Sequence, residues 1–201
     1  MIRLGFVLIL LVVTETIFAK SNIVVLGDSI SAGYGLETGQ GWVALIEKKL
    51  QATTLCCTLI NESISGDTSA GGVARIDPIL STYQPKIVLL ELGANDGIRG
   101  LPPALLKTNL AEIIRRVQKY HGKVLLFSMR IMPNYGKRYT DMVYQVYPQL
   151  AKELDIPMIP FILEDIALNK DLMQADGLHP NAKAQPLIAE KVWQYLKPLL
   201  K

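Results

Sequence analysis

A serine follows the first strand-like run of the chain, in the stretch LGDSISAGYG at residues 26–35. A serine hydroxyl is a weak nucleophile until a neighbouring base accepts its proton, and histidine is the usual base because it titrates near neutral pH. Ser29 could therefore be the nucleophile of an acyl-transfer reaction. Serine is also a common helix cap, because its hydroxyl accepts backbone N–H groups of the first turn. The position alone leaves both interpretations open.

Two histidines are candidates for the base. His121 lies at the end of a predicted amphipathic helix, next to Gly122, and we expect it to be a solvated surface residue. Gly122 is well placed as the residue that terminates this helix. His179 lies in DGLHP, a sequence that is also typical of a plain turn with helix-capping residues.

A histidine base needs a carboxylate that holds its ring in one tautomer. Asp176 lies three residues before His179 and could accept the proton of one ring nitrogen, which would leave the other nitrogen facing the serine. The spacing does not show that Asp176, rather than Asp28 or Asp67, has this role.

Acyl transfer also needs donors aimed at the oxyanion of its tetrahedral intermediate. The candidates are the backbone N–H groups of Ser29 and of Gly66, in SISGDTS, and the side-chain amide of Asn95, in GANDG. Each has a simpler explanation as a cap, a turn residue or a helix start. Their joint occurrence with a base and a carboxylate is far harder to ascribe to chance. The serine is not in a G-x-S-x-G motif, which argues against the common α/β-hydrolase type.

A sheet is expected to position these residues. Five short runs are apolar nearly throughout, which predicts parallel strands covered on both faces: Asn22–Leu26, Thr58–Asn61, Lys86–Leu92, Lys123–Met129 and Pro157–Phe161. Helical periodicity is present in Trp42–Leu50, Pro103–Tyr120, Arg138–Leu154 and Lys183–Leu199, and Pro148 should kink or break the third. The alternation predicts a doubly wound three-layer α/β domain, whose ligands bind outside the carboxyl ends of the strands.

The four motifs resemble those of the SGNH (GDSL) hydrolases. The positions that name this family match Ser29 in GDSIS, Gly66 in SISGDTS, Asn95 in GANDG and His179 in DGLHP, and its aspartate matches Asp176. The similarity covers essentially the whole mature chain. Flanking runs such as ELGANDGIRG and DGLHPNAKAQPLIA look most like bacterial periplasmic acyl-CoA thioesterases with protease and lysophospholipase activity, whereas GYGLETGQGW is more similar to arylesterases.

The resemblance implies a flavodoxin-like α/β/α fold with a five-stranded parallel sheet. It also implies a secreted serine hydrolase of small-molecule acyl esters, thioesters or lysophospholipids that acts through an acyl-serine intermediate without metal or cofactor. Ser29 would be the nucleophile, His179 the base and then the acid, and Asp176 the residue that holds the imidazole. Ser29, Gly66 and Asn95 would form the oxyanion hole.

The loop GIRGLPPALL, residues 97–106, follows Asn95 and is expected to influence substrate choice. We predict that its apolar residues Ile98, Leu101 and Pro102 line a groove for the acyl chain. They could instead pack the loop onto the domain.

Two other functions fit parts of the pattern. The resembled family also contains carbohydrate esterases that remove acetyl groups, although a short chain without an appended binding module counts mildly against that activity. A non-catalytic flavodoxin-like domain could hold an anion with glycine-rich turns at Gly27 and Ser29. That role gives no reason for Asp176 and His179 near the other end of the chain.

The first nineteen residues predict a signal peptide. MIRLGFVLILLVVTETIFA has a positive Arg3 and an apolar run that is too short to span a bilayer comfortably as a helix. We expect cleavage after Ala19, with an uncleaved anchor as the alternative. Residues 20–201 would then form one periplasmic or secreted hydrolase domain, a monomer with no stable membrane insertion.

Charge and cysteine content give no support to nucleic-acid or metal partners. The net charge is +3 and the basic residues are scattered, so nucleic-acid binding gains no support. Cys56 and Cys57 are neighbours, and a disulfide between them would close a strained ring. We expect them to act as small apolar side chains, and no histidine nearby in sequence completes a metal-ligand set with them.

Overall fold

The computed structural model describes residues 21–53 and 57–200. The predicted signal peptide and Cys56 lie outside the described residues. Five strands form one parallel sheet in the order β2-β1-β3-β4-β5. The strands are β1 Ser21–Gly27, β2 Cys57–Asn61, β3 Ile87–Glu91, β4 Lys123–Phe127 and β5 Met158–Ile159.

The centre of the sheet is buried on both faces, which explains its nearly continuous apolar sequence. Val24 in β1 pairs with Ile60 on one side and with Val88 on the other, and all five residues of β3 are buried. The fifth strand is shorter than predicted, because this edge strand pairs with β4 only through Met158 and Ile159. All five predicted strands are present.

The helices cover both faces of the sheet. They are α1 Ser29–Ala32, α2 Trp42–Gln51, α3 Ser69–Tyr83, α4 Ala94–Ile98, α5 Pro103–Lys119, α6 Lys137–Glu153 and α7 Gln185–Leu196. Short 3₁₀ turns occupy Pro133–Tyr135, Lys170–Leu172 and Lys197–Leu200. Helix α2 packs against α7, whereas α5 packs against α3 and α6, so the predicted three-layer α/β/α architecture is confirmed.

Helix α6 contains Pro148 and runs unbroken from Lys137 to Glu153, so the predicted break is wrong. A proline inside a helix removes one backbone hydrogen bond. Here tertiary packing compensates, since Tyr147 is fully buried beside the proline and its hydroxyl donates to the Leu92 carbonyl at 3.1 Å. The alternative expectation of a kink stays a prediction.

Helix α5 ends one residue before the predicted Tyr120, and the left-handed residue after it is His121, with φ 59°, rather than Gly122. His121 is exposed, as predicted. Glycine is needed at 122 for close approach instead. A Cβ there would lie 2.9 Å from Val117 Cγ1 and 3.0 Å from the Pro85 carbonyl oxygen.

Two other sequence expectations concern the cysteine at 57 and membrane insertion. Cys57 begins β2, is half-buried and packs against the hydrophobic core, as a small apolar side chain would. No helix in the described ranges is long and apolar enough to cross a membrane.

Candidate active site

The nucleophile candidate lies directly after β1. Asp28, not Ser29, is the N-cap of α1, and its carboxylate accepts the Ile30 N–H at 3.1 Å. The capping interpretation of Ser29 is therefore wrong. Because Asp28 caps the helix, the hydroxyl of Ser29, the first helical residue, is left for another partner.

That partner is His179. Its Nε2 lies 2.8 Å from Ser29 Oγ, and its Nδ1 lies 2.7 Å from Asp176 Oδ2. Among the three aspartates that the sequence left open, Asp176 is therefore the one that contacts the imidazole on its second nitrogen. The three side chains form a continuous hydrogen-bonded line from carboxylate to hydroxyl, which is the arrangement that activates a serine.

Hydrogen bonds fix the Asp176 carboxylate in the turn. Its Oδ1 accepts the backbone N–H of Leu178 at 2.9 Å and of His179 at 3.0 Å. Burial raises the pKa of Asp176, but the hydrogen bonds from His179 and Leu178 outweigh burial and lower this pKa to about 2. Asp176 is therefore a carboxylate at neutral pH, and it favours the tautomer of His179 with the proton on Nδ1.

The Asn95 amide lies beside the nucleophile turn, at the start of α4. Its Nδ2 donates to the Asp67 carbonyl at 2.9 Å and to Asp28 Oδ2 at 3.2 Å. The preceding Gly93 has φ 117°, and a Cβ there would lie 2.2 Å from Tyr147 Oη. Only glycine therefore lets the chain turn from β3 into α4 and bring Asn95 to this edge.

Gly66 lies in a turn after β2 that is closed by a bond from the Asp67 N–H to the Ile64 carbonyl at 3.0 Å. Its φ is 80°, which favours glycine, and its carbonyl accepts Arg99 Nη2 at 2.8 Å. Within residues 21–53 and 57–200, the backbone N–H groups of Gly66 and Ser29 donate to no other residue. Both donors are thus free to bind an anion.

A pair of buried acidic residues, Asp28 and Glu91, lies next to Ser29 and was not predicted as part of the site. Glu91 is fully buried, and its Oε2 accepts the Ser31 hydroxyl at 2.6 Å and the Asp28 N–H at 3.2 Å. Burial raises the pKa of Asp28 to about 6. Burial and the neighbouring Asp28 charge raise the pKa of Glu91 well above its usual range. The only sequence signal was an acidic residue inside the apolar run IVLLELG.

Arg75 is a second residue that sequence reasoning missed. Its Nε donates to Asp67 Oδ2 at 2.8 Å, and Nη2 reaches the Gly27 carbonyl at 3.3 Å. Nη1 donates to the Glu62 carbonyl. A single side chain on α3 thereby joins the end of β1 to the turn that carries Gly66.

An apolar pocket of about 440 Å³ opens beside the three hydrogen-bonded residues. Its polar lining includes Ser29, Asn95 and His179, and its apolar lining comes chiefly from the segments after β4 and β5. These apolar residues are Ile30, Ala94, Ile98, Met129, Ile131, Met132, Pro133, Phe161, Leu163, Ala167, Leu168, Met173 and Leu178.

Only one of the three predicted groove residues lies in this pocket. Ile98 is part of the lining, and Leu101 and Pro102 are not. The chain turns away after Ile98, because the Leu101 carbonyl accepts the Tyr139 hydroxyl at 2.7 Å and holds the loop against α6. The rest of the pocket wall could have been predicted from the apolar residues that directly follow β4 and β5 in the sequence.

In the described part of the chain, no group of three or more His, Cys, Asp or Glu side chains is placed to hold a metal ion.

A serine, a histidine and an aspartate joined at the carboxyl edge of a parallel sheet define a serine hydrolase of three-layer α/β/α architecture.

Comparison with known proteins gives the family. Residues 25–186 match the model of the GDSL-like lipase/acylhydrolase family, and the chain belongs to this family. It is 46% identical over 182 residues to the protein named esterase TesA of Pseudomonas aeruginosa, covering 90% of each chain. It is 42% identical over 193 residues to thioesterase 1/protease 1/lysophospholipase L1 of Escherichia coli K12, covering 96% of this chain and 91% of the relative.

A solved structure agrees with this assignment. The psychrotrophic esterase EstA from a Pseudoalteromonas species, in a structure inhibited by monoethylphosphonate, is 43% identical and superimposes with a TM-score of 0.86. The match covers 90% of this chain and 98% of EstA. The protein is an enzyme, a serine ester hydrolase with the fold of this family.

Proposed function

We propose that this protein is an exported serine hydrolase that cleaves fatty acyl esters, thioesters and lysophospholipids through an acyl-Ser29 intermediate. One observation carries the proposal. The line from Asp176 through His179 to Ser29 Oγ ends at the wall of an apolar pocket of about 440 Å³. A nucleophile at the mouth of an apolar pocket suits a substrate with an acyl chain.

In the first half of the reaction, Ser29 Oγ attacks the acyl carbon while His179 Nε2 accepts the hydroxyl proton. The tetrahedral oxyanion receives hydrogen bonds from the N–H groups of Ser29 and Gly66 and from Asn95 Nδ2. When the intermediate collapses, the bond from carbon to the leaving group breaks, and His179 gives the proton to that group. Asp176 stabilises the imidazolium that exists between these two transfers.

The second half repeats this chemistry with water. His179 Nε2 accepts a proton from water as the water oxygen attacks the acyl carbon of acyl-Ser29. The same three donors hold the second oxyanion. Collapse releases the carboxylic acid and returns the proton to Ser29 Oγ, so the enzyme is regenerated with no net change.

Substrate class follows from the lining of the pocket. An apolar wall stabilises each buried methylene by about 0.8 kcal/mol, so acyl chains should be preferred over acetyl groups. We infer that the pocket holds the acyl chain and that the alcohol, thiol or lysophospholipid head group stays outside it. This division supports activity on oxygen esters and thioesters alike, as the name of the Escherichia coli relative indicates for that protein.

Export would influence which of these substrates the enzyme meets. If residues 1–19 are a signal peptide, the mature enzyme is separated from cytosolic acyl-CoA. We therefore propose lysophospholipids or other small esters as natural substrates, with thioester cleavage as a capability in vitro. Cell fractionation tests this step: a precursor shortened by about the predicted length should be found outside the cytoplasm.

The lining is largely apolar, with Asp28, Arg130 and Glu164 as its polar side chains besides Ser29, Asn95 and His179. This lining suits an acyl chain better than a sugar ring, whose hydroxyls would lose water against the apolar wall, and it therefore counts against the alternative of a carbohydrate esterase. A non-catalytic anion-binding domain would give no reason for the hydrogen bond between His179 and Ser29. Both alternatives are outcomes of the experiment below.

The decisive experiment treats the full-length protein with a fluorophosphonate probe and maps the adduct by intact mass and peptide analysis. We expect one adduct, on Ser29, that is absent in Ser29→Ala and slowed by several orders of magnitude in His179→Ala. A control esterase labelled in parallel validates the probe. No adduct on this protein while the control labels fully would overturn the nucleophile assignment.

A substrate panel then tests the chemical class. Aryl acetate, aryl decanoate, decanoyl-CoA, lysophosphatidylcholine and acetylated xylan are compared by kcat/KM. The proposal expects decanoyl and lysophospholipid substrates to exceed the aryl acetate. Preference for acetylated xylan would instead establish the carbohydrate esterase.

A further inference from the structure

A second connection joins the nucleophile to the base, apart from the bond between Ser29 Oγ and His179 Nε2. It runs through the side chain of Gln174, which contacts Tyr34 across 140 positions of sequence. Gln174 does not belong to the lining of the pocket. Any effect of this residue on catalysis therefore has to act through the residues that it holds.

Asp176 and His179 lie on a tight hairpin, residues 173–180. Met173 and Pro180 form an antiparallel bridge at its base, and the Gln174 N–H donates to the His179 carbonyl at 2.8 Å. A bond from the Gly177 N–H to the Gln174 carbonyl, at 3.0 Å, closes the tip. The imidazole therefore moves with the backbone of the hairpin.

The Gln174 amide fastens this hairpin to the segment that follows the nucleophile. Its Nε2 donates to the Tyr34 carbonyl at 2.7 Å and to the Pro180 carbonyl at 3.1 Å. The Tyr34 N–H in turn donates to the Ser29 carbonyl at 3.0 Å. Hydrogen bonds through Tyr34 and Gln174 thus connect the backbone of the nucleophile to the backbone of the base.

Tyr34 and Gly35 leave room for the Gln174 amide. The Tyr34 ring lies against the imidazole of His179, with ring centroids 4.6 Å apart and planes at 39°. Gly35 follows with φ 71°, and a Cβ there would lie 2.2 Å from Gln174 Oε1. The amide thus lies directly against the Gly35 backbone, in space that any other residue at 35 would occupy.

We propose that Gln174 is a positioning residue whose amide clamps the hairpin 173–180 to Tyr34 and so keeps the His179 imidazole within hydrogen-bond distance of the Ser29 hydroxyl. The inference rests on the proposed function of these two residues. A displacement of about 1 Å at a reacting pair can cost about 10²-fold in rate, so a loosened hairpin should slow catalysis without changing the acyl pocket.

The first test is Gln174→Met, which keeps the side-chain length and removes both donors. We expect kcat on an aryl ester and the rate of fluorophosphonate labelling to fall about 10- to 100-fold, while KM stays within about threefold. Gln118→Met is the matched control. The Gln118 amide donates to the Leu154 carbonyl at 3.3 Å on the exposed surface of α5, so its loss should leave both rates unchanged.

The second test displaces the amide from the other side. Gly35→Ala forces Gln174 away, and Gly39→Ala is its control, since Gly39 has φ 85° but no atom within 4 Å of an added Cβ. Both variants carry the same kind of backbone strain, and only Gly35→Ala should slow labelling. The double variant Gly35→Ala/Gln174→Met should be labelled only a little more slowly than either single variant, because both substitutions remove the same contact.

The outcomes separate the clamp from the proposed function. Absence of labelling in the wild-type protein overturns the function. Wild-type labelling together with an unchanged rate in Gln174→Met overturns the clamp and leaves the function intact. Should Gln174→Met fail to fold, the comparison of Gly35→Ala with Gly39→Ala decides alone: equal rates in these two variants refute the clamp.

Discussion

The backbone N–H of Asp28 donates to Glu91 Oε2 at 3.2 Å, which joins two buried acidic residues next to Ser29. Burial and the nearby Asp28 charge raise the pKa of Glu91 well above its usual range, so Glu91 stays neutral in the fold at pH values where the unfolded chain ionises it. The unfolded state then binds fewer protons than the native state. Stability therefore falls as pH rises above the unfolded pKa of Glu91.

Replacing Glu91 by glutamine should remove this pH dependence. Each pH unit over which Glu91 is neutral in the fold and ionised in the unfolded chain lowers wild-type stability by about 1.4 kcal/mol. We expect the free energy of unfolding of Glu91→Gln, relative to the wild type, to increase with pH above about 4.5, the ordinary pKa of a glutamate, in urea titrations at successive pH values for as long as Glu91 stays neutral in the fold. Any constant packing defect of the variant shifts this difference without changing its slope.

Glu153→Gln is the control for that measurement. Glu153 is exposed at the end of α6 and pairs with Lys107 at 2.7 Å, so its replacement should give a nearly flat difference over the same pH range. A flat difference for Glu91→Gln as well would show that Glu91 ionises in the fold as it does in the unfolded chain, against the prediction.

Asp176→Asn tests the role of the carboxylate. An asparagine keeps the shape of the residue but can present an N–H to His179 Nδ1, which favours the tautomer that cannot accept the Ser29 proton. We expect kcat to fall by about 10³- to 10⁴-fold with little change in KM. Because the pKa of Asp176 is lowered to about 2, the wild type holds an ionised Asp176 at neutral pH, where the two rates are compared.

The control for this substitution is Asp171→Asn, in the 3₁₀ turn Lys170–Leu172, because that exposed carboxylate lies close in sequence but does not contact His179. Its steady-state rate should match the wild type. A loss of less than about tenfold in Asp176→Asn would exclude Asp176 as the residue that sets the tautomer.

Much of the fold, and the choice of Ser29, His179 and Asp176 as site residues, could be predicted because the signals lie in short local stretches of sequence. A buried parallel strand requires continuous apolar residues, so the apolar run around Val88 predicted a strand. The rule that ligands bind at the carboxyl edge of the sheet then placed Ser29 and Asn95 together. The resemblance to the SGNH hydrolases supplied the choice of Asp176, which spacing had left open.

The missed features depend on contacts between distant segments. Nothing in the sequence around Gln174 indicates that its amide reaches Tyr34 at 2.7 Å. Leu101 and Pro102 were placed in the acyl groove by proximity in sequence, and the Tyr139 hydroxyl turns that loop elsewhere. Pro148 was expected to kink or break α6, and the break is absent because local propensity does not include the packing that maintains the helix.

The apolar pocket beside Ser29, which we propose to hold the acyl chain, predicts selectivity by chain length. Ala167 lines the pocket beside Leu163, and Ala167→Leu adds three carbon atoms to the wall. We expect kcat/KM for an aryl decanoate to fall at least tenfold relative to an aryl acetate, because a lost methylene contact is worth about 1–3 kcal/mol in such a pocket. Rates on both substrates, measured at equal enzyme concentration, give the ratio.

Ala104→Leu on the exposed side of α5 is the matched control, since it makes the same chemical change away from the pocket. Its decanoate-to-acetate ratio should equal that of the wild type. If Ala167→Leu slowed acetate and decanoate equally, the pocket would not be the site that receives the acyl chain.

Asn95 should act only once the oxyanion has formed. In the free enzyme its amide is held by the Asp67 carbonyl and Asp28, and a developing oxyanion can take one of these two hydrogen bonds. Asn95→Ala should therefore lower kcat by about 10²- to 10³-fold and slow fluorophosphonate labelling to a similar degree, while KM remains within about threefold. Asn109→Ala removes another half-buried amide, which donates to Ser69 Oγ at 3.0 Å, and should lower stability without changing either rate. Equal losses in the two variants would mean that Asn95 supports the fold and not the transition state.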